Sequence, residues 1–200
     1  MRWAFLKYEI EYKKRKTLSV RISDGKVFVS APRGMSRDSI ETFLNKKSKW
    51  IEKNVEKQKA SLSRCEALSD NEALLFGEII PLPPEYIGKR LAFYRSVSRC
   101  LTERTEYVAK RCGFTYSGLR FSRAQTRWGS CNGKNGITLN LALLALPKRL
   151  SDYVIVHELC HTEHHDHSPA FWKLVESIIP EFRAMRKELK NYAYTLGFFK

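Results

Sequence analysis

Apolar positions change their period several times along the chain, and each change marks an element. Tyr8, Ile10 and Tyr12 alternate with Glu9 and Glu11, Leu18, Val20 and Ile22 alternate next, and Val27, Val29 and Ala31 alternate beyond Asp24-Gly25. A period of two marks a strand with one buried face, and Asp-Gly between two such runs favours a tight turn. This stretch therefore predicts a β-hairpin preceded by one further strand. After Pro32 and Gly34 the spacing turns helical. Ile40, Phe43, Leu44, Trp50, Ile51 and Val55 follow one face, Ser36 is placed to cap, and Arg37, Lys46, Lys47, Lys49 and Lys53 lie on the remainder. One amphipathic basic helix is predicted there.

Residues 61–70 have no clear period and read as a linker. They divide the chain into a β-β-α unit over 1–65 and a body over 66–200, the alternative being one continuous domain over 1–200. Leu74 to Leu82 is apolar, with Gly77 inside and Pro81, Pro83 and Pro84 closing it, which predicts short strands and a turn. Lys89 to Cys112 has neither Pro nor Gly and carries Leu91, Tyr94, Leu101 and Val108, so a helix ending at Gly113 is expected. Leu119 and Phe121 begin a strand and Gly136–Leu141 forms another. The turn residues Gly129, Asn132, Gly133 and Asn135 between them predict a hairpin. Pro147 and Asp152 announce a helix. A second has the apolar face Phe171, Trp172, Leu174, Val175, Ile178 and Ile179 and ends at Pro180, and a last helix carries Phe182, Met185, Leu189, Tyr192 and Leu196. No repeat or low-complexity tract interrupts the series.

Composition narrows the class. With 43% hydrophobic and 12% aromatic residues in 200, the chain can bury a core. The net charge is +15, and residues 1–60 hold 16 basic against 7 acidic side chains. A surface of this kind either faces nucleic acid or another anion through the N-terminal third, or is simply solvated. The run Lys13-Lys14-Arg15-Lys16 falls in a connection, where such charges are usually solvated. Five cysteines, Cys65, Cys100, Cys112, Cys131 and Cys160, form no C-x-x-C pair, which argues against a disulfide framework and for reduced thiols in a cytoplasmic setting. No segment has the apolar length of a signal peptide core or a membrane span, so no membrane partner is expected.

All five histidines fall between positions 157 and 167. On a helix His157 and His161, four apart, share a face and can hold one cation between their rings, with Glu158 beside the first. That is the His-Glu-x-x-His arrangement, in which imidazoles bind zinc and the carboxylate takes a proton from the activated water. A catalytic site needs three protein ligands and one open position. His165 stands eight residues from His157, roughly 12 Å along a continuing helix, which is too far to converge. His167 becomes available if the chain turns. Pro169 pushes Ser168 out of the α region, Ser168 suits an N-cap, Pro suits the first helical position, and Asp166 tolerates unusual backbone angles. The ligand set read from the residues is His157, His161 and His167.

Arg127-Trp128-Gly129-Ser130-Cys131, Ile137-Thr138-Leu139-Asn140, Asp152 to His161, and His167-Ser168-Pro169-Ala170-Phe171-Trp172 together resemble the YgjP-like metal-dependent hydrolases, zincin-type proteins related to the SprT-like and WLM metallopeptidases. The likeness covers nearly the whole chain. It implies an α+β fold: a zincin-like catalytic domain, with the HExxH helix against a small antiparallel sheet, and a small N-terminal hairpin and helix. It also implies zinc on the residues already chosen and Glu158 as base. The ligand spacing equals that of metzincins, but His164 replaces their mid-motif glycine, and Met185 reads as core. Glu176 or Glu181 would be third ligand on the other common zincin plan, although both look like solvent-face charges.

The expectation is a zinc metallopeptidase acting on peptide or protein, with Gly136–Leu141 holding an extended peptide by strand addition. A metal-dependent nucleotide pyrophosphatase directed at UTP, an activity attributed within that family, and a nucleic-acid-binding protein with structural zinc are the rival readings. Arg127 either clamps a substrate carboxylate or phosphate by its planar fork or forms a structural ion pair. Cys131 and Cys160 read as small buried hydrophobes. Oligomeric state is not legible.

Overall fold

In the computed structural model, which describes residues 7–23, 25–66 and 68–197, the N-terminal alternation becomes three strands, β1 (Tyr8–Lys13), β2 (Ser19–Ser23) and β3 (Lys26–Pro32). β2 and β3 pair antiparallel, Val20 opposite Val29, as the hairpin spacing requires. Gly25 takes φ 68°, and Asp24 of the expected turn lies outside the described residues. β1 joins the other edge of β3 in parallel, Ile10 opposite Val29. Val27, Val29 and Ala31 are buried on the face covered by Ile40, Leu44, Ile51 and Val55, which makes the core of the unit Met1–Glu66.

Those four residues come from two helices, not one. α1 (Arg37–Lys46) is capped by Ser36, whose Oγ accepts from the Ser39 N–H, and α2 (Ser48–Glu66) follows after Lys47. The Lys47 N–H is shared between the carbonyls of Phe43 and Leu44, which bends the chain without any Gly or Pro to announce it. Arg37 and Lys46 therefore ride on a different helix from Lys49 and Lys53. Trp50 is half exposed rather than on the apolar face, because it precedes Ile51 by one residue, ~100° around the axis. The expected linker is also partly helix. α2 runs to Glu66 since residues 61–66 contain no breaker and an established helix propagates cheaply.

The unit Ala67–Lys200 is built around one buried helix. β4 (Glu72–Leu75) and β5 (Glu78–Pro81) form a hairpin across Phe76 and Gly77, which take φ 51° and 90°. The single helix expected over 89–112 is two, α3 (Arg90–Ser96) and α4 (Arg99–Cys112). Ser96 Oγ donates to the Phe93 carbonyl and Ser98 Oγ to that of Arg95, competing with the helical ladder at the joint. Gly113 ends α4 at φ 77°.

Three strands follow, β6 (Gly118–Ser122), β7 (Gly129–Cys131) and β8 (Gly136–Asn140), in the order β6-β8-β7. The hairpin is β7 with β8, antiparallel, whereas β6 pairs with β8 in parallel. Spacing had pointed to a hairpin between the outer two runs, since Gly-Ser-Cys carries no apolar alternation. β8 is the central strand, paired on both sides, so it cannot accept a further strand. The outer strands are β6 and β7.

After a 3₁₀ stretch at Leu141–Ala145 comes α5 (Lys148–Cys160), then α6 (Pro169–Ile178) and α7 (Phe182–Leu189). The helix expected through Leu196 ends at Leu189, and the chain continues as 3₁₀ over Lys190–Gly197. α5 buries Leu150, Tyr153, Val154, Ile155, Val156, Leu159 and Cys160, so it is apolar nearly all round, as a helix at the centre of a core must be. The one early polar residue it buries, Ser151, donates to the Leu143 carbonyl at 2.7 Å.

Asn140 ties this core to the loop leading into β7. Its side chain is fully buried, donates to the carbonyls of Ala124 (2.7 Å) and Arg127 (3.0 Å), and accepts from the Ala142 N–H (3.0 Å). Asn140→Ala removes three bonds and leaves buried backbone groups unpaired, so unfolding free energy should fall by about 2–4 kcal/mol. The urea midpoint at unchanged slope measures it, and a change below about 0.5 kcal/mol would contradict this anchoring role.

Candidate metal centre and cleft

The polar end of α5 carries the site. His157, Glu158 and His161 occupy its last turn and cap, and the chain then reverses: the His164 N–H donates to the Cys160 carbonyl, and Thr162 Oγ1 to that of Leu159. Asp166 Oδ1 accepts from the Ser168 N–H, Ser168 Oγ accepts from the Phe171 N–H, and Pro169 opens α6. This is the turn that the Ser-Pro step required, and it brings His167 back over the first two histidines. Asn135 Nδ2, in the β7–β8 turn, holds the same loop through the Thr162 carbonyl at 3.2 Å.

One ligand-capable nitrogen from each of His157, His161 and His167 lies within 4.8 Å of the others, and Nε2 of His157 is 3.2 Å from Nε2 of His167. Two nitrogens each ~2.0–2.1 Å from a tetrahedral ion would stand roughly 3.3–3.4 Å apart, so the rings are already spaced for one cation. His161 Nδ1 lies 2.9 Å from the His164 carbonyl, which can only accept. The proton therefore sits on Nδ1 and the Nε2 lone pair is left for a metal. Phe171 stacks on His161 at 4.3 Å and meets His157 edge-on at 4.9 Å, while Trp172 flanks His167 at 5.4 Å. Burial, reinforced by the neighbouring histidines, lowers His157 to about 3, and burial likewise lowers His161. Both are neutral at ordinary pH, the form that binds metal. His157 Nδ1 is buried without a hydrogen-bond partner. The donor set fits a single divalent ion.

Glu158 is 6% exposed, and burial pushes its carboxyl up to about 8. Its place depends on Gly129 of β7. A Cβ there would lie 2.7 Å from both Cγ and Oε1 of Glu158, so only glycine lets the edge strand pass this close. By spacing alone Gly129 reads as a turn residue, whereas it opens the strand β7. The cleft beyond, about 430 Å³, is lined by His157, Glu158, His167, Tyr153, Trp172 and Arg186, among others.

Other candidates sit elsewhere. Arg127 is exposed and does not line this cleft, although Thr126, Trp128 and Gly129 do. Its carbonyl is held by Asn140 and its side chain has no carboxylate partner among the described residues, so the expected ion pair is not formed either. Glu176 pairs with Arg183, Glu181 is exposed, and neither joins the histidine cluster. Met185 is buried in α7. Cys160 is fully buried and Cys131 half-buried, both free thiols, and burial raises the pKa of each; Cys65 lies outside the described side chains.

A profile of the YgjP-like family, metallopeptidase domain, matches residues 16–85 and 81–192. The chain belongs to the YgjP-like family. The matched span holds His157, Glu158, His161 and His167 and reaches into both units. As a YgjP-like protein the chain is a metallopeptidase-type hydrolase, and its family implies a divalent metal. No curated protein matches it in sequence. Among solved structures, the crystal structure of the metallopeptidase zymogen of Pyrococcus abyssi abylysin is 24% identical, over 44% of this chain and 90% of that one, with a TM-score of 0.41. No described helix of this YgjP-like chain is long and apolar enough to cross a membrane.

Gly129→Ala should force the Glu158 side chain or β7 to move, costing about 1–3 kcal/mol of stability. Gly133→Ala is the control, because a Cβ there meets nothing within 4 Å. Thermal melts of the two variants measure the difference; equal melting temperatures would show that the contact tolerates a methyl group.

Proposed function

We propose that the chain is a zinc metallopeptidase in which Glu158 is the general base. The observation that carries this reading is a buried carboxyl group placed next to three converging imidazoles and beside an outer strand. His157, His161 and His167 would hold the zinc, which when bound would supply Lewis acidity towards a scissile carbonyl and towards water. His161 is oriented by the His164 carbonyl and His167 by the capped start of α6, so two of the three imidazoles are held before any ligand arrives.

Glu158 is kept from bulk water, which raises its affinity for a proton; a dication beside it favours the ionised form again. Between those two influences the carboxylate can take the proton of the attacking water and pass it to the leaving amine. β7 gives a peptide its track. With β8 occupied on both sides, an extended substrate would add to an outer strand, and of the two it is β7 whose Gly129 lies against Glu158. Tyr153 lines the same cleft, and burial keeps its phenol protonated as a donor.

Glu158→Gln keeps the size and hydrogen bonding of the side chain but cannot accept a proton. Hydrolysis of an unfolded protein should drop by roughly 10²–10⁴-fold while zinc content and melting temperature stay near wild type. Loss of zinc in that variant would place Glu158 in a structural role, and hydrolysis of UTP in place of peptide bonds would overturn the peptidase reading.

His167→Ala should strip the metal, whereas His164→Ala and His165→Ala should keep one zinc per chain, since His164 acts through its backbone carbonyl. Metal analysis after gel filtration decides, and stoichiometric zinc in His167→Ala would sink the ligand set.

A further inference from the structure

The cleft has an arginine that the proposed chemistry does not use. Arg186, on α7, lies over the Trp172 ring at 4.7 Å, and Trp172 is itself stacked on Phe182 at 5.3 Å. The stack holds the guanidinium beside the histidines, because Trp172 also flanks His167. Lys190, one turn later, lines the same cleft, and the only carboxylate among its lining residues is Glu158.

Four arginines of this unit are matched by carboxylates. Arg99 pairs with Glu103, Arg104 takes both oxygens of Asp152, Arg149 takes both of Glu188, and Arg183, on the same helix as Arg186, pairs with Glu176. Arg186 has no acidic partner among the described residues. Its charge nevertheless reaches the site, since it opposes the burial that raises the Tyr153 phenol. A guanidinium held on an aromatic face in the cleft, with a lysine beside it and no ion pair to Glu158 or any other described carboxylate, presents a planar fork suited to a carboxylate from outside.

We propose that Arg186 is a specificity-determining residue, selecting peptides that place a carboxylate in the cleft near the bond to be cut. An aspartate or glutamate side chain and a free C-terminus offer the same chemistry. Lys190 adds charge but no bidentate geometry, so discrimination rests on Arg186. The inference deepens the peptidase reading and depends on it.

Four synthetic peptides test it on the zinc-loaded protein. Three have amidated ends and differ only in Glu, Gln or Lys, scanned across positions around the scissile bond; the fourth lacks acidic side chains and keeps a free C-terminus. At one position kcat/KM for the Glu peptide should exceed that for Gln by roughly 10–100-fold, the range of a charged hydrogen-bonded pair. Arg186→Ala should shrink the ratio to about twofold, and Arg186→Glu should invert it in favour of Lys. Arg183→Ala, whose arginine is already paired, should leave it intact. If only the free C-terminus shows an advantage that depends on Arg186, the carboxylate is the chain end.

Equal cleavage of all four peptides would overturn the inference and leave the peptidase reading standing, as would a Glu preference that survives in Arg186→Glu. Calorimetric binding to zinc-loaded Glu158→Gln separates the other case. Carboxylate-selective binding that requires Arg186, with no hydrolysis by wild type, keeps the inference and sinks the peptidase reading, whereas absence of both sinks the two together.

Discussion

Burying a carboxylate at the end of an apolar helix is the constraint on which the catalytic unit depends. α5 is packed on nearly all sides, so its last turn has to bring Glu158 and two histidines into surroundings that penalise charge. Such a penalty is tolerable only if the groups stay neutral or meet a compensating charge, and a divalent ion between the imidazoles would supply that charge. Neutral histidines are the metal-binding form. The burial that penalises charge at these groups also keeps His157 and His161 in the form that binds metal.

The same constraint explains the neighbours. β7 can approach Glu158 this closely only because Gly129 has no side chain, and it is an outer strand of its sheet. The loop before β7 is held by Asn140, whose three hydrogen bonds lie in the core that supports α5. Scaffold and site are thus one packing problem: a defect at Asn140 is felt along the strand that faces Glu158. The loop after α5 is pinned separately, by Asp166 and Ser168 on one side and by Asn135 on the other.

α6 and α7 finish the cleft rather than the core alone. Phe171 walls the histidines, and Trp172 carries Arg186 on its ring, so one helix contributes both a metal-facing surface and the platform for a cation from the next. Glu176 of α6 pairs with Arg183 of α7 and Glu188 of α7 with Arg149 of α5, whereas Arg186 lines the cleft without an ion-pair partner among the described residues.

What could be read from the chain alone was whatever depends on local spacing. His157 and His161 share a helix face because 3.6 residues make a turn, and Ser168-Pro169 restarts a helix because of proline's backbone geometry; His167 followed from the two together. The hairpin of β2 and β3, the Ser36 cap and the apolar face of α6 were legible for the same reason. What the tertiary structure alone decided was everything set by distant partners. The bend at Lys47 and the joint at Ser98 have no breaker residue, and a three-residue strand such as β7 is too short to show a period. Gly129 looks like any turn glycine until Glu158, twenty-nine residues away, is packed against it. Arg127 and Arg186 are equally basic in sequence, and only the stacking of α7 on α6 determines which of them faces the cleft, since a side chain's electrostatic role depends on what the fold places beside it.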